Sequence, residues 1–487
     1  MYQIAYREPS PTADGRIIAG PRALRAVPHP ARWVEPADGP TTLAAYRALR
    51  REVFVAAQGL FDRDDADEVD SDPRTIVLVA RAGDGTFLGG VRLGPATPGP
   101  DIGWWHGGRL VVRPDAGRGV GTDLVRAACR YAVGAGALRF EADIQARNEG
   151  FFTRLGWRSV DGIAPVRAEH VRVRWPIDRI AALAVATKAP LGGLLHGMSP
   201  GGAGFVGDDG APVPGSDLIA ACDAILPAIV ARDPWWAGWC SVLVNLNDLA
   251  AMGAGPLGLL DAVGAADVAA AEAVLDGLRA AARRYGVPVL GGHTTLGVPG
   301  FLAVTALGRA ANPVPGGGGR PGHRIRLTVD TAGGWRPGYD NRQWDSTSMR
   351  STAELRAMLG SVADSRPAAA KDVSMAGLVG TLGMLAEASG VGAVLDVAAV
   401  PRPREANVGD WFTCFPGYAM LTAEPDGHSA PDAGPAVSAV CGRLTDGCGV
   451  QLRWPDGELT TAIEGTVTGL GPALTDRQIT SGLGTTA

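Results

Sequence analysis

Apolar positions recur along the chain with two different periods, and the switches between them mark out the elements. In TTLAAYRALRREVFVAAQG (41–59), Leu43, Tyr46, Leu49, Val53 and Phe54 share one helical face. TIVLVAR (75–81) and FLGGVRLG (87–94) predict strands around the turn AGDG. RLVVR (109–113) predicts a strand, GTDLVRAACRYAVGAG (121–136) a helix that ends in glycine, and LRFEADIQ (138–145) a strand with alternating faces. FFTRLGW (151–157) and HVRVRWPI (170–177) close this unit, whose element order fits an α+β or α/β layer.

Beyond it, RIAALAVATKA (179–189) predicts a helix leading into the glycine-rich GGLLHGMSPGGAGFVGDDG (192–210). Helices are expected at about 215–231 and 267–285, and strands at SVLVNL (241–246), PLGLLDAV (256–263), VPVLGG (287–292) and FLAVTALG (301–308). NPVPGGGGRPGH (312–323) reads as a flexible break, a linker or surface loop. RIRLTVD (324–330) starts a third unit, with a helix over 374–389, a strand at GAVLDVAAV (392–400) and a strand-rich stretch to about 470. The expected boundaries are a polar lead-in (1–30), domains at 31–178, 179–312 and 324–475 with a linker at 313–323, and a frayed tail (476–487).

At 487 residues the chain exceeds one ordinary domain. With 46% hydrophobic and 20% charged residues it reads as a soluble globular protein. A net charge of −5 offers no basic field for nucleic acid or membrane. The start lacks a secretory layout, and apolar stretches such as LIAACDAILPAIVA are broken by Asp223 and Pro227 before they could span a bilayer. Six scattered cysteines without a CxxC pair read as reduced thiols, so a cytoplasmic location is expected.

Two segments groups carry candidate chemistry. In VRPDAGRGVGTDLV (112–125) a strand runs through glycines into a helix. Glycine lets the backbone approach an anion, and the first N–H groups of the helix point at it, aided by the helix dipole. With NEGFFTRLGW (148–157) following, residues 31–178 resemble the GNAT acetyltransferases. The resemblance implies acetyl-CoA, or another acyl-CoA, at Val112, Arg118, Gly119, Val120, Gly121 and Thr122, with Asn148 at the pantetheine. Ala116 stands where the family usually has Arg or Gln, and Phe152 where it usually has a tyrosine acid. Base candidates are Glu141, Asp143 and His106; strand alternation is expected to let only one of the two carboxylates face the cleft. Each of the carboxylates is more often a surface or paired group than a base.

The second group is GDDGA (207–211), NLNDLAAMGA (245–254), GGHTTLG (291–297) and KDVSMAGLVGTLGMLAEASGVGA (371–393), read as strand ends or helix starts around one phosphate cleft. Carboxylates at such loops suit Mg²⁺ beside phosphate oxygens, although one Asp–Asp pair alone is commonly a turn or a cap. Over residues 185–475 the series resembles the PurM-like superfamily, and in particular the AIR synthase-related proteins of bacterial clusters with a nitrilase. That implies an α+β domain that pairs in a homodimer, an α/β domain over the phosphates, and ATP with Mg²⁺. It places Asp208, Asp209 and Asp248 at the metal, near Asn245 and Asn247, and Gly207, Gly291, Gly292, Thr294 and Asp372 at the nucleotide. His293, a catalytic candidate, stands where the kinase-like members have Asp, AIR synthase has Glu and selenophosphate synthetases have His. The Cys-containing motif of selenophosphate synthetases is absent; the preceding segment has Lys188 and His196 instead. Met375 replaces the second Asp of the DxSDG motif of thiamine-monophosphate kinase.

GGWRPGYDNRQWDSTSMRS (333–351) crowds aromatics with Arg336, Arg342, Asp345 and Arg350, as a substrate loop or an ordered surface loop would. Trp235, Trp236 and Trp239 read as core or dimer interface. The expected protein is a bifunctional small-molecule enzyme, an N-acyltransferase joined to an Mg-ATP-dependent activating enzyme. The alternative is a protein that binds CoA or nucleotide without turnover, which Ala116, Phe152 and Met375 favour.

Overall fold

The computed structural model describes residues 32–160 and 170–473; the expected lead-in and tail lie outside them. The chain divides into two compact units, one ending at Ile177 and the other running from Asp178 to Ala406 and from Asp410 onward.

The first unit holds β1 (Arg32–Pro36), α1 (Pro40–Arg50), β2 (Ile76–Ala82), β3 (Phe87–Pro95), β4 (Trp104–Val112), α2 (Val120–Gly134), β5 (Arg139–Gln145), α3 (Glu149–Arg154), β6 (Arg158–Ser159) and β7 (His170–Trp175). Its sheet has the order β1-β2-β3-β4-β5-β7-β6. The predicted apolar face of 41–59 is present in part: Tyr46, Leu49 and Phe54 pack with Val111, but only Pro40–Arg50 is α-helical and Arg51–Ala57 is a π-helix. Across the sheet, Val120, Leu124, Ala128 and Ala132 of α2 pack on Leu78, Leu93 and Phe140. Most neighbouring strands are antiparallel, but β4 and β5 run parallel and pair only from Trp104↔Arg139 to Gly107↔Ala142. Beyond Gly107 the two strands have no ladder bonds, and a cavity of about 470 Å³ opens between them.

The second unit holds α4 (Arg179–Thr187), α5 (Leu191–Leu194), β8 (Ala211–Pro212), β9 (Leu218–Ile225), α6 (Pro227–Arg232), α7 (Pro234–Ala251), β10 (Gly255–Ala265), α8 (Val268–Tyr285), β11 (Val289–Leu296) and β12 (Phe301–Arg309). It continues with β13 (Arg324–Val329), β14 (Gly334–Trp335), β15 (Trp344–Asp345), α9 (Thr352–Ser365), β16 (Ala369–Asp372), α10 (Gly377–Ser389), β17 (Gly392–Asp396), β18 (Ala419–Glu424), β19 (Val437–Thr445), β20 (Val450–Arg453) and β21 (Leu459–Ile463). One sheet is β11-β10-β12-β9-β8, with β10 and β11 parallel; the other is β16-β18-β13-β19-β17-β20-β21, with β17 and β20 parallel. The mixed α/β and α+β architecture agrees with the pattern of the sequence.

Three local expectations are corrected. SVLVNL is no strand but the middle of α7, a helix in which Ser241, Asn245 and Asn247 are as buried as Trp236 and Leu249. A helix covered on all sides has no polar face, so its apolar run loses the helical period and imitates a buried strand. The helix expected at 215–231 is β9 followed by the short α6, because eight residues from Leu218 to Ile225 pair with β12 despite their alanines. Pro227 sits in the first turn of α6, where its missing N–H costs nothing. The polyglycine run is no surface break either. Gly316 N–H donates to Asp208, Gly319 N–H donates to Ser389 Oγ, and a Cβ on Gly318 would lie 1.9 Å from the Ala368 carbonyl oxygen.

Residues 333–351 form the hairpin β14–β15 against α7. Arg336 lies 4.2 Å over the Trp236 ring and pairs with Asp233 at 2.7 Å, Trp236 Nε1 donates to Gln343, and Trp239 Nε1 donates to Thr347. Arg350 bonds Asp330 and Glu354. The polar side chains of this segment that α7, Asp330 and Glu354 engage hold it as an ordered cover. Trp236 and Trp239 are core residues, while Trp235 stacks on Trp239 and is 37% exposed.

Candidate functional site

In the first unit, the turn before α2 is shaped by Gly117 and Gly119, both with positive φ. Gly119 caps α2, so the N–H groups of Val120, Gly121 and Thr122 precede the first intrahelical bond, Asp123 N–H to Gly119 O. The side chains of Arg118 and Asp115 are solvent-facing, and Val120 is buried. A residue that the sequence reading missed lies across this turn. Arg32, on β1, donates to Arg118 O at 2.8 Å and to Asp123 at 2.5 Å, and a Cβ on Gly119 would be 2.5 Å from its Nη2. Its distance of 86 residues from the loop gave no sequence signal. The open backbone amides with a guanidinium beside them fit a pyrophosphate. Val112 packs near Gly121, and Asn148 caps α3 and lines the cavity between β4 and β5.

The base candidates differ in how far they are engaged. Residues two apart on a strand share a face, so Glu141 and Asp143 lie together rather than one in and one out; both line a second cavity beside His106 and Arg172. Glu141 is fully buried, bonded by Arg174, 3.0 Å from Arg139 and hydrogen-bonded by Trp104. Burial works to raise its pKa, but the two guanidiniums hold it below the usual carboxylate range. Asp143 accepts two bonds from Arg172, at 2.7 and 3.0 Å, and lies 3.4 Å from His106 Nε2. Against burial, the neighbouring His106 and the hydrogen bonds of Arg172 keep it well below its ordinary value. Both carboxylates are held as anions by arginine. His106 opens onto the cavity between β4 and β5 with Asp143 behind it, the arrangement of a base and the group that orients it. Phe152 is packed edge-on against Trp157 and has no polar group to offer. A charge network, also missed, reaches the same cavity: Arg92, Arg109 and Asp67 line it, both arginines pairing with Asp67, and Arg92 and Arg50 pair with Asp70.

In the second unit three elements deliver carboxylates to one point. Asp209 comes from the loop before β8, Asp248 from the last turn of α7 and Asp372 from the end of β16; one oxygen of each lies within 4.8 Å of the others. Burial, then repulsion from Asp372, Asp223 and Asp209, raises the pKa of Asp248 well above the carboxylate range. Burial and the charges of Asp209 and Asp223 do the same for Asp372. Asp223, on β9, is a further carboxylate that the sequence reading used only as a break in an apolar stretch. Asp372 Oδ2 is buried and accepts no hydrogen bond. Clustered anions with an unbonded oxygen, one of them at the negative end of a helix dipole, fit a hard divalent cation.

The structure sets Asp208 apart from this trio. Its Oδ2 accepts from Gly316 N–H at 2.8 Å, and its Oδ1 lies 3.7 Å from Lys371 Nζ. Burial pushes its pKa up to about 6, with Lys371 opposing. Lys371, the residue before Asp372, is 1% exposed and donates to Gly207 O and Asp209 Oδ1 at 3.0 and 3.1 Å. Burial opposes its charge, but Asp209 and Asp208 prevail and keep it protonated. Asp209 Oδ2 accepts the Asp372 N–H. Asn245 and Asn247 are tied by their amides to Ser241 O and Gly417 O. GGHTTLG is not a loop: Gly291, Gly292, His293 and Thr294 lie inside β11, an edge strand paired with β10 at Leu260 to Val263. A Cβ on Gly292 would meet the Asp261 carboxylate at 2.4 Å. Among the described residues, no hydrogen bond or ion pair links these four to the carboxylate trio. Met375 is 50% exposed.

Three family models match the chain: the acetyltransferase (GNAT) family over residues 43–157, and the N-terminal and C-terminal domains of AIR synthase related protein over 207–310 and 345–454. The protein sll0787 of Synechocystis sp. is 37% identical over 223 residues, covering 44% of this chain and 69% of that protein. A thiamine-monophosphate kinase of Methanospirillum hungatei is 34% identical over 179 residues, 36% of this chain and 61% of that enzyme. The crystal structure of a thiamine monophosphate kinase from Aquifex aeolicus aligns with 53% of this chain and 93% of its own at 18% identity and a TM-score of 0.40.

Proposed function

Since the chain belongs to the AIR synthase related family and carries a GNAT-family domain ahead of it, we propose that it is a bifunctional enzyme of small-molecule metabolism. Its second unit activates an acceptor with Mg-ATP, and its first transfers an acyl group from acyl-CoA to an amine. The observation that carries the first half of this reading is the meeting of Asp209, Asp248 and Asp372 from three separate elements. The thiamine-monophosphate kinases among the relatives, proteins of phosphoryl transfer by name, support the same direction.

Asp209, Asp248 and Asp372 would hold Mg²⁺, which neutralises charge on a transferring phosphoryl group. The carboxylates of the chain fix the position of that charge, and the buried surroundings keep water from screening it. In the first unit, the amides of Val120, Gly121 and Thr122, with Arg32, would take the CoA pyrophosphate. His106 would remove the proton from the attacking amine, its ring oriented by Asp143. With Phe152 in place of a tyrosine acid, the leaving thiolate takes its proton from solvent. The exposed apolar residues Val289, Leu290 and Leu296 of β11, with Leu260 of β10 and Phe301 of β12, would pair two copies of the chain.

The test is Mg²⁺-dependent ADP formation by the purified chain against small-molecule acceptors, with Asp248→Asn as control. Turnover that survives Asp248→Asn would overturn the assignment of the site. Tight ATP binding with no turnover on any acceptor would leave a binding protein instead. Protection of the amides from Gly119 to Thr122 against hydrogen exchange by acetyl-CoA tests the first unit.

A further inference from the structure

Lys371 is a buried cation of the second site, in contact with Asp208 and with Asp209 of the carboxylate trio. Its ammonium donates to Gly207 O at 3.0 Å and to Asp209 Oδ1 at 3.1 Å, and lies 3.7 Å from Asp208 Oδ1, which accepts no hydrogen bond. The other oxygen of Asp208 is taken by Gly316 N–H at 2.8 Å. Gly316 is required there, because a Cβ would stand 2.3 Å from Asp208 Oδ1 and 3.0 Å from Lys371 Nζ. Thus Asp208, whose side chain has no exposed surface, faces the ammonium and the glycine run. Asp209, Asp248 and Asp372 converge elsewhere, with Asp372 Oδ2 accepting no hydrogen bond.

We propose that the Lys371 ammonium is a resident cation that stands where a further divalent ion would otherwise be needed. It neutralises Asp208 and one oxygen of Asp209, withholds Asp208 from the metal, and leaves the ion to Asp209, Asp248 and Asp372. The physical reason is charge balance. Two adjacent buried carboxylates cannot both stay ionised without a cation, and a lysine supplies one that needs no uptake from solution. Lys371 is therefore a positioning residue. It ties the loop at Gly207 to β16 and sets how many divalent ions the site accepts. This inference rests on the reading of the aspartate trio as a metal site.

The experiment is a titration of the full chain with Mn²⁺, without nucleotide, following free Mn²⁺ by electron paramagnetic resonance. Asp208→Asn is expected to keep the ion count of the parent with affinity within about threefold, whereas Asp248→Asn loses about 100-fold or more. Lys371→Met frees Asp208 and Asp209 and is expected to bind one ion more than the parent. Lys371→Arg, and the double variant Lys371→Met with Asp208→Asn, return to the parent count. Weakening by Asp208→Asn as severe as by Asp248→Asn overturns the inference while leaving the metal site in place, as does an unchanged count in folded Lys371→Met. If Lys371→Met fails to fold, the Asp208→Asn and Lys371→Arg arms still decide. A parent chain that binds no Mn²⁺ overturns both the inference and the metal site on which it rests.

Discussion

At the scale of single residues, ionisation is governed by which groups burial brings together. Asp248 is raised by burial and by three other carboxylates. A carboxyl whose folded-state pKa lies above its unfolded value supports the fold at low pH, and that support is lost as pH rises through the folded pKa. In EDTA, Asp248→Asn is therefore expected to melt higher than the parent at about pH 8, by ~3 °C or more. The gap should close as pH falls towards about 4, the ordinary carboxylate value; thermal melts across this range check both the sign and the window. Asp143 has the opposite shift, so it remains an anion at neutral pH and can hold the His106 ring. If His106 is the base, His106→Gln should lower acyl transfer by about 100-fold or more while leaving CoA binding unchanged. Steady-state kinetics beside calorimetric CoA titration separate the two effects.

At the scale of elements, two glycine devices place the sites. Gly119, with φ of 93°, turns the chain into α2 beneath Arg32. Gly119→Ala is expected to cost ~1–3 kcal/mol from the left-handed backbone and to weaken acetyl-CoA binding by about tenfold or more through displaced amides. Denaturant melts and calorimetry measure the two. The polyglycine run passes through the interior of the second unit, with Gly318 against the Ala368 carbonyl. Gly318→Ala should destabilise that unit by at least ~2 kcal/mol, whereas a free linker would tolerate it; differential calorimetry decides. α7 is the other placing device. Its burial from Trp236 onward fixes Asp248 and also brings Trp236 and Trp239 under the hairpin at residues 333–351.

At the scale of the whole molecule, the second unit leaves apolar side chains of β10, β11 and β12 in solvent. Leu290, 56% exposed on the edge strand, is the most open of them apart from residues outside that face. Leu290→Asp is expected to turn a dimer into monomers in light scattering after size-exclusion chromatography, with the unit still folded. A parent chain that is already monomeric would refute pairing through this face. The sequence by itself determined the two kinds of unit, most strands of the first, the helices at α2, α4, α8 and α10, and the motifs that carry the aspartates. Those features are local: the periods of 3.6 and 2, glycine at turns, and carboxylates within short strings. Tertiary structure alone decided that SVLVNL is a helix, since burial on all sides erased its period, and that LIAACDAI is a strand, since pairing with β12 overrode its alanines. It also decided which aspartates meet. Asp208 and Asp209 are adjacent in sequence, yet one accepts from Gly316 beside Lys371 while the other bonds Lys371 and joins Asp248 and Asp372, because their side chains leave the backbone in different directions toward partners distant in the sequence.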